Sequence, residues 1–188
     1  MDPLGRRIGD MHDVAIESRA GSERGRAGES FETLYRRLMP RVYGYVASLL
    51  RDQTAAEDVT ALAFERAYRR RRSFRPSRGT PESWMFGIAR NAALDELRRR
   101  RRRADVEVDS VDLGAEPSES AETELRRATV RTAVLSLSPR DRDIVALKFA
   151  GGLSNGEIAR VLGVSESSAG TRLHRTIEKL RKACHEEV

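Results

Sequence analysis

Seven residues in one short stretch have the chemistry of a hydrogen-bonding surface: Ser167, Ser168, Gly170, Thr171, Arg172, His174 and Arg175. Hydroxyls donate and accept, and a guanidinium presents a planar fork of donors that matches paired acceptors. The residues lie in "LSNGEIARVLGVSESSAGTRLHR", Leu153–Arg175. Within it Ile158, Ala159, Leu162, Gly163 and Val164 fit a helix, a sharp turn and a second helix. Gly163 supplies the left-handed turn residue. Ser154 and Glu157 form an S-x-x-E capping box for the first helix, and Ser165 caps the second. On the second helix Ala169, Leu173, Ile177, Leu180 and Cys184 make an inward stripe, which turns the polar residues near its start outward. A helix presented in this way reads base edges with its N-terminal residues and phosphates with its basic flanks. An ordinary helical hairpin shares the stripe; the turn spacing and the caps favour DNA binding. His174 is a phosphate or base contact, or a solvated surface histidine. Gly170 costs about 1 kcal/mol against Ala in an exposed helix. It either allows close backbone approach to DNA or is a tolerated defect.

A second constellation lies in "WMFGIARNAALDELRRRRRR", residues 84–103. At 100° per residue Phe86, Ala89, Ala93 and Leu97 fall on one side as a core stripe. Trp84, Ile88, Asn91, Asp95 and Arg98 fall on the other. Trp stacks on unpaired bases, amides bond base edges and Arg grips phosphates. Trp84 and Ile88 have a plainer alternative, packing on a neighbouring helix. The six arginines from Arg98 to Arg103 cannot be a buried face; they are a solvated tail or, the reading favoured here, a phosphate track. Catalysis has no comparable support. Asp95 and Glu96 are adjacent and point about 100° apart on a helix, and no nucleophile stands beside a base. A single cysteine excludes an intramolecular disulfide and a cysteine-rich zinc site. No catalytic residue, metal or cofactor is expected.

The elements that position these groups are helical. Phe31, Leu34, Tyr35 and Leu38 recur at helical spacing; Pro40 breaks or kinks the run, and Val42, Tyr45, Val46 and Leu49 resume it. A second helix covers about 55–72, with Val59, Leu62, Ala63 and Ala67 as its stripe. Residues 73–83 hold two Pro, one Gly and three Ser, a loop. A third helix follows from about Pro81 to Arg100 or beyond. After residue 125, Val130, Val134 and Leu137 form another stripe. Ser138 and Pro139 then start the next helix as N-cap and first residue.

Charge divides the 188-residue chain. Residues 1–30 carry net −1, 31–103 net +10, 104–124 net −8 and 125–188 net +5, for a total of +6. Two basic helical blocks flank an acidic one, the pattern of two nucleic-acid-facing modules and a tether. The fold expected is all-α: two small helical domains, 31–103 and 125–188, joined by a flexible acidic linker, 104–124. The C-terminal domain contains the helix-turn-helix. Residues 1–30, poor in large apolar groups, read as a disordered tail. No apolar run approaches a membrane span, and no signal-peptide hydrophobic region is present, so a cytoplasmic protein without membrane insertion is expected.

In order, "AEDVTALAFERAY", an Arg-containing loop, "WMFGIARNAALDELRRRRRR", the acidic linker and "LSPRDRDIVALKFAGGLSNGEIARVLGVSESSAGTRLHRTIEKLRK" resemble a bacterial RNA polymerase sigma factor of the extracytoplasmic-function type. The resemblance implies a first domain that binds the polymerase β′ clamp and melts the −10 promoter element. It implies a second domain that reads the −35 element as duplex. The linker would run through the polymerase channels between them, and the β subunit is a further partner that the resemblance implies. It implies −10 contacts at Phe74, Arg75, Arg78, Trp84, Arg90, Asn91, Asp95 and Arg98, with the loop of residues 74–83 capturing a flipped base. It implies −35 contacts at Ser167, Ser168, Gly170, Thr171, Arg172, His174 and Arg175, and polymerase contacts at Asp58, Leu62 and Glu65. An anti-sigma factor is a further partner the resemblance implies. Three positions depart from the pattern. Ala61 and Leu62 replace a polar pair, which shifts or weakens the clamp contacts. Ala169 replaces Val, which loosens packing, and Gly170 stands where a long basic side chain is common. The competing reading is a helix-turn-helix regulator independent of polymerase. It predicts an upstream sensor domain, which the helical +10 block at 31–103 does not resemble.

Overall fold

The computed structural model describes residues 30–104 and 121–186, and all regular structure among them is helical. The expected N-terminal tail, apart from Ser30, and most of the expected linker lie outside the described residues. Helix α1 spans Phe31–Leu50 and α2 spans Gln53–Arg70. Two short 3₁₀ turns, Arg71–Ser73 and Pro76–Arg78, lead to α3, Pro81–Ala104. After the undescribed stretch come α4, Ala121–Ser136; α5, Pro139–Phe149; α6, Asn155–Leu162; and α7, Glu166–Glu186. Helix α4 starts inside the segment that the sequence reads as linker.

Local chemistry explains the boundaries. Ser30 caps α1, its hydroxyl accepting the Thr33 N–H at 3.1 Å. The helix runs through Pro40 without a break, contrary to one of the two expectations at that residue. It stops at Arg51, which is left-handed at φ 55°. Asp52 then caps α2 by accepting the Ala55 N–H at 2.9 Å. That corner is held from a distance by Arg100, which donates to Asp52 at 2.7 Å and to Glu96 at 3.0 Å. Arg100 therefore has a structural task, which corrects the reading of all six arginines as a phosphate track. Arg98 and Arg99 pair with Asp95 and Glu96 on their own helix.

In the second module Ser138 caps α5, accepting the Asp141 N–H, with Pro139 at the first helical position. The Ser154–Glu157 capping box forms as the sequence predicts, and Gly163 closes α6 at φ 68°. Arg142 donates to the carbonyls of Leu135 and Leu137, and so satisfies the open end of α4.

The two modules share one continuous core. Leu38, Val42 and Val46 of α1, Ala63 and Phe64 of α2, and Met85, Phe86 and Ala89 of α3 are buried. They run on into Ile144, Leu147, Leu153 and Ile158 of the second module. The join is polar as well as apolar. Asp143 on α5, 5% exposed, accepts from the Tyr45 hydroxyl at 2.8 Å and from Arg90 Nε at 2.7 Å. Arg41 donates to the Gly151 carbonyl at 3.0 Å. Thr80 donates to Glu157 at 2.7 Å, so the caps of α3 and α6 face each other across one carboxylate. Gly151 is required: a Cβ there would lie 2.9 Å from the Phe86 ring.

Candidate nucleic-acid interface

Helix α7 buries its back and bares its front. Ala169 and Leu173 are buried, and Ile177, Leu180 and Cys184 are partly so, as the stripe predicts. Ser167, Ser168, Thr171, Arg172, His174 and Arg175 are exposed, and Gly170 is half-buried. Ser165 accepts the Ser168 N–H at 3.2 Å, which secures the first turn of this reading surface. A Cβ on Gly170 would meet only Asn155 Nδ2, at 3.7 Å, an ordinary contact. Internal packing therefore does not require glycine there. Thr176 is fully buried and donates to the Arg172 carbonyl at 2.9 Å. Its side chain falls between the apolar positions of the stripe, so sequence periodicity alone passes over it.

Beside this surface runs a groove of about 570 Å³, lined by Asp141 of α5 and by Ser167, Thr171, Arg172, Arg175 and Lys179 of α7 among others. Asp141 sits in its wall, with Lys179 Nζ at 2.8 Å and Arg172 Nε at 3.7 Å. The Lys179 hydrogen bond holds the Asp141 carboxyl below the usual carboxylate range, against the opposing effect of burial.

The second surface follows α3. Asn91, Asp95 and Arg98 are exposed along one face. Trp84 and Ile88 are half-buried and pack against the core, with part of each side chain still accessible. The Trp84 ring lies 5.5 Å from that of Phe74, so loop and helix lean on each other. Arg75, between the two 3₁₀ turns, and Arg78, at the end of the second, are exposed. Arg90 is not free on this face: its guanidinium pairs with Asp143 of the other module. Asp58, Leu62 and Glu65 share an exposed face of α2, with Glu65 paired to Arg69.

Two all-helical modules in this order, each with an outward polar face on a helix that follows a capped turn, have counterparts of known identity. Residues 34–103 match Sigma-70 region 2 and residues 127–180 match Sigma-70, region 4. The chain is 36% identical over 160 residues to the RNA polymerase sigma factor CarQ of Myxococcus xanthus, covering 83% of this chain and 90% of CarQ. It is 30% identical over 149 residues to the ECF RNA polymerase sigma factor SigL of Mycobacterium tuberculosis, covering 77% and 83%. The chain belongs to the ECF sigma factors.

This sigma factor is also 32% identical over 166 residues to the ECF sigma factor BldN of Streptomyces coelicolor, 85% of this chain, but spans only 63% of BldN's length. Among solved structures its fold is similar to that of the sigma factor RpoE in complex with the anti-sigma factor NepR from Bartonella quintana. The TM-score is 0.70 at 22% identity, covering 81% of this chain and 95% of RpoE. CnrH in complex with the cytosolic domain of CnrY has a TM-score of 0.62 at 23% identity, over 84% and 89%. Among the groups that join the modules of this sigma factor are Tyr45, Arg41, Thr80 and Asp143. They carry no signal in the sequence, because each sits on an ordinary helical or loop position whose partner is far along the chain.

Proposed function

We propose that this sigma factor places RNA polymerase on promoters by reading a −10 element with α3 and its preceding loop, and a −35 duplex with α7. The reading rests on one observation above others: the reactive face of α7 is bare from Ser167 to Arg175 while its opposite face is buried. A capped helix so presented enters a major groove with its first two turns. On α3, Asn91 supplies an amide for base edges, and Asp95 and Arg98 continue the same face. Phe74, Arg75, Arg78 and Trp84 surround the loop where an unpaired base would lodge. Arg90 joins this set only when Asp143 releases it. Asp58, Leu62 and Glu65 form the face offered to the polymerase clamp.

The role is that of a non-enzymatic initiation factor, working in the cytoplasm as part of the holoenzyme. No helix among the described residues is long and apolar enough to cross a membrane. An anti-sigma factor would act on it by covering the clamp-facing and promoter-facing helices. That RpoE was solved with an anti-sigma factor supports this partner class.

The test is run-off transcription with sigma-free core polymerase and a randomised promoter library, with and without the protein. Transcripts that share two spaced elements are expected. Absence of transcripts, with duplex binding retained by the protein alone, would instead favour a regulator that works without polymerase.

A further inference from the structure

The wall of the −35 groove contains a carboxylate where a polyanion is to dock. Asp141 is 8% exposed, and repulsion between its charge and DNA phosphates would by itself weaken binding. Its surroundings show what it accomplishes. Its backbone is fixed in the first turn of α5, where Ser138 accepts its N–H at 3.2 Å. Lys179 Nζ, at 2.8 Å, anchors the carboxylate from the C-terminal side of the groove. The other oxygen faces Arg172 Nε at 3.7 Å. The Arg172 backbone is fixed in turn by the buried Thr176 hydroxyl. A guanidinium engaged through Nε keeps its Nη1–Nη2 edge open, and that edge is the fork that meets paired acceptors. Arg172 is itself exposed, 42% by side chain, so without a partner its four torsions would be free in solvent.

We propose that Asp141 is a positioning residue for duplex recognition: anchored by Lys179, it attracts Arg172 Nε through a 3.7 Å ion pair and so biases the Nη1–Nη2 fork toward a pair of acceptors on the −35 duplex. The inference rests on the reading of α7 as the −35 helix. The acceptors are either guanine O6 and N7 or two oxygens of one phosphate, the same forked chemistry from two sources. A side chain biased toward its bound conformation gives up less freedom on binding than a free one.

The experiment uses holoenzyme and a promoter library with a fixed −10 element and a randomised −35 element. Wild type is compared with Asp141→Ala, Asp141→Asn, Arg172→Ala and the Asp141→Ala/Arg172→Ala pair. If the fork meets guanine, Arg172→Ala loses a preference for G at one position by about ten-fold. Asp141→Ala then loses most of the same preference at the same position. If it meets a phosphate, both single variants bind all sequences more weakly, and the salt slope falls by about one unit. In either case Asp141→Ala has no further effect in the Arg172→Ala background, and Asp141→Asn, which keeps an acceptor oxygen, retains part of the effect. The proposal is overturned if Asp141→Ala tightens binding equally in both backgrounds, since the carboxylate would then act only as a repelling charge. A uniform loss that persists in the Arg172→Ala background, with a lowered melting temperature, would also overturn it, by showing that Asp141 only supports the fold. Wild-type holoenzyme indifferent to the −35 sequence would remove the reading of α7 itself, and that result needs no variant to be seen.

Discussion

At the scale of single residues, exposure separates the groups proposed to touch DNA from those that build the platform. Asn91 is exposed on α3. Asn91→Ala should change −10 preference in the promoter-library assay and leave the unfolding free energy within about 0.5 kcal/mol of wild type. An unchanged preference removes Asn91 from the interface. Among the described residues Arg98 pairs with Asp95, one turn away, and is 66% exposed by side chain. Arg98→Ala should weaken promoter binding almost evenly across sequences and lower the salt slope by about one unit; an unaltered slope means that Arg98 faces solvent in the complex. Thr60 is a platform residue with a flaw. It is buried on α2, and its hydroxyl has no partner among the described residues. Thr60→Val keeps the shape and removes the unsatisfied group, so it should raise stability by about 1 kcal/mol. Urea melts that show a loss would mean that the hydroxyl is satisfied in solution.

Elements are held by carboxylates at their starts, and this gives them a pH dependence with a definite sign. Asp52 lies below the usual carboxylate range, chiefly because the Ala55 N–H donates to it, with Arg100 adding to the effect. Asp141 is lowered chiefly by Lys179. A carboxyl whose folded pKa is depressed stabilises fully above its unfolded value, about 3.9 for Asp, and loses that contribution as pH falls through the folded value. Stability at neutral pH should therefore hold down to about pH 4 and fall below it. The Asp52→Asn/Asp141→Asn pair should be less stable at pH 7 and show a shallower decline in acid. Urea melts at intervals from about pH 7 to pH 2.5 measure both, and parallel curves for the two proteins would refute the assignment. The same caps were legible beforehand. Ser138, Ser154, Ser165 and Gly163 stand at positions where local chemistry alone favours a helix end. The run of α3 to Arg100 or beyond was legible too, and the helix reaches Ala104. Not legible was the tie of Arg100 to the α1–α2 corner, through a partner 48 residues away.

Over the whole molecule the two modules are packed together, and the seam includes a residue assigned to the −10 surface. Asp143 binds both Tyr45 and Arg90, and burial with Asp143 alongside pushes the Tyr45 hydroxyl well above its usual pKa. Breaking a buried ion pair by removing one partner costs about 3–5 kcal/mol, and less where one side is a quarter exposed, as Arg90 is. Asp143→Ala should loosen the seam without unfolding either module. Small-angle scattering should then show a larger radius of gyration, and core polymerase should bind the variant at least as fast as wild type. An unchanged radius would mean that the apolar contact of Phe86 with Gly151 and the shared core suffice to hold the modules together.

Periodicity, caps and charge blocks determined the helices, the helix-turn-helix and the outward face of α7. Each of those depends on residues within about two turns of one another, where local sterics and hydrogen bonding dominate. Only the tertiary structure decided that Trp84 packs on Phe74, that Arg100 is a staple and that Arg90 is held by Asp143. It also decided that Asp141 meets Arg172. Those outcomes depend on which charge finds which partner across the fold, and an arginine has the same local signature whether it will hold a phosphate or a carboxylate of its own chain.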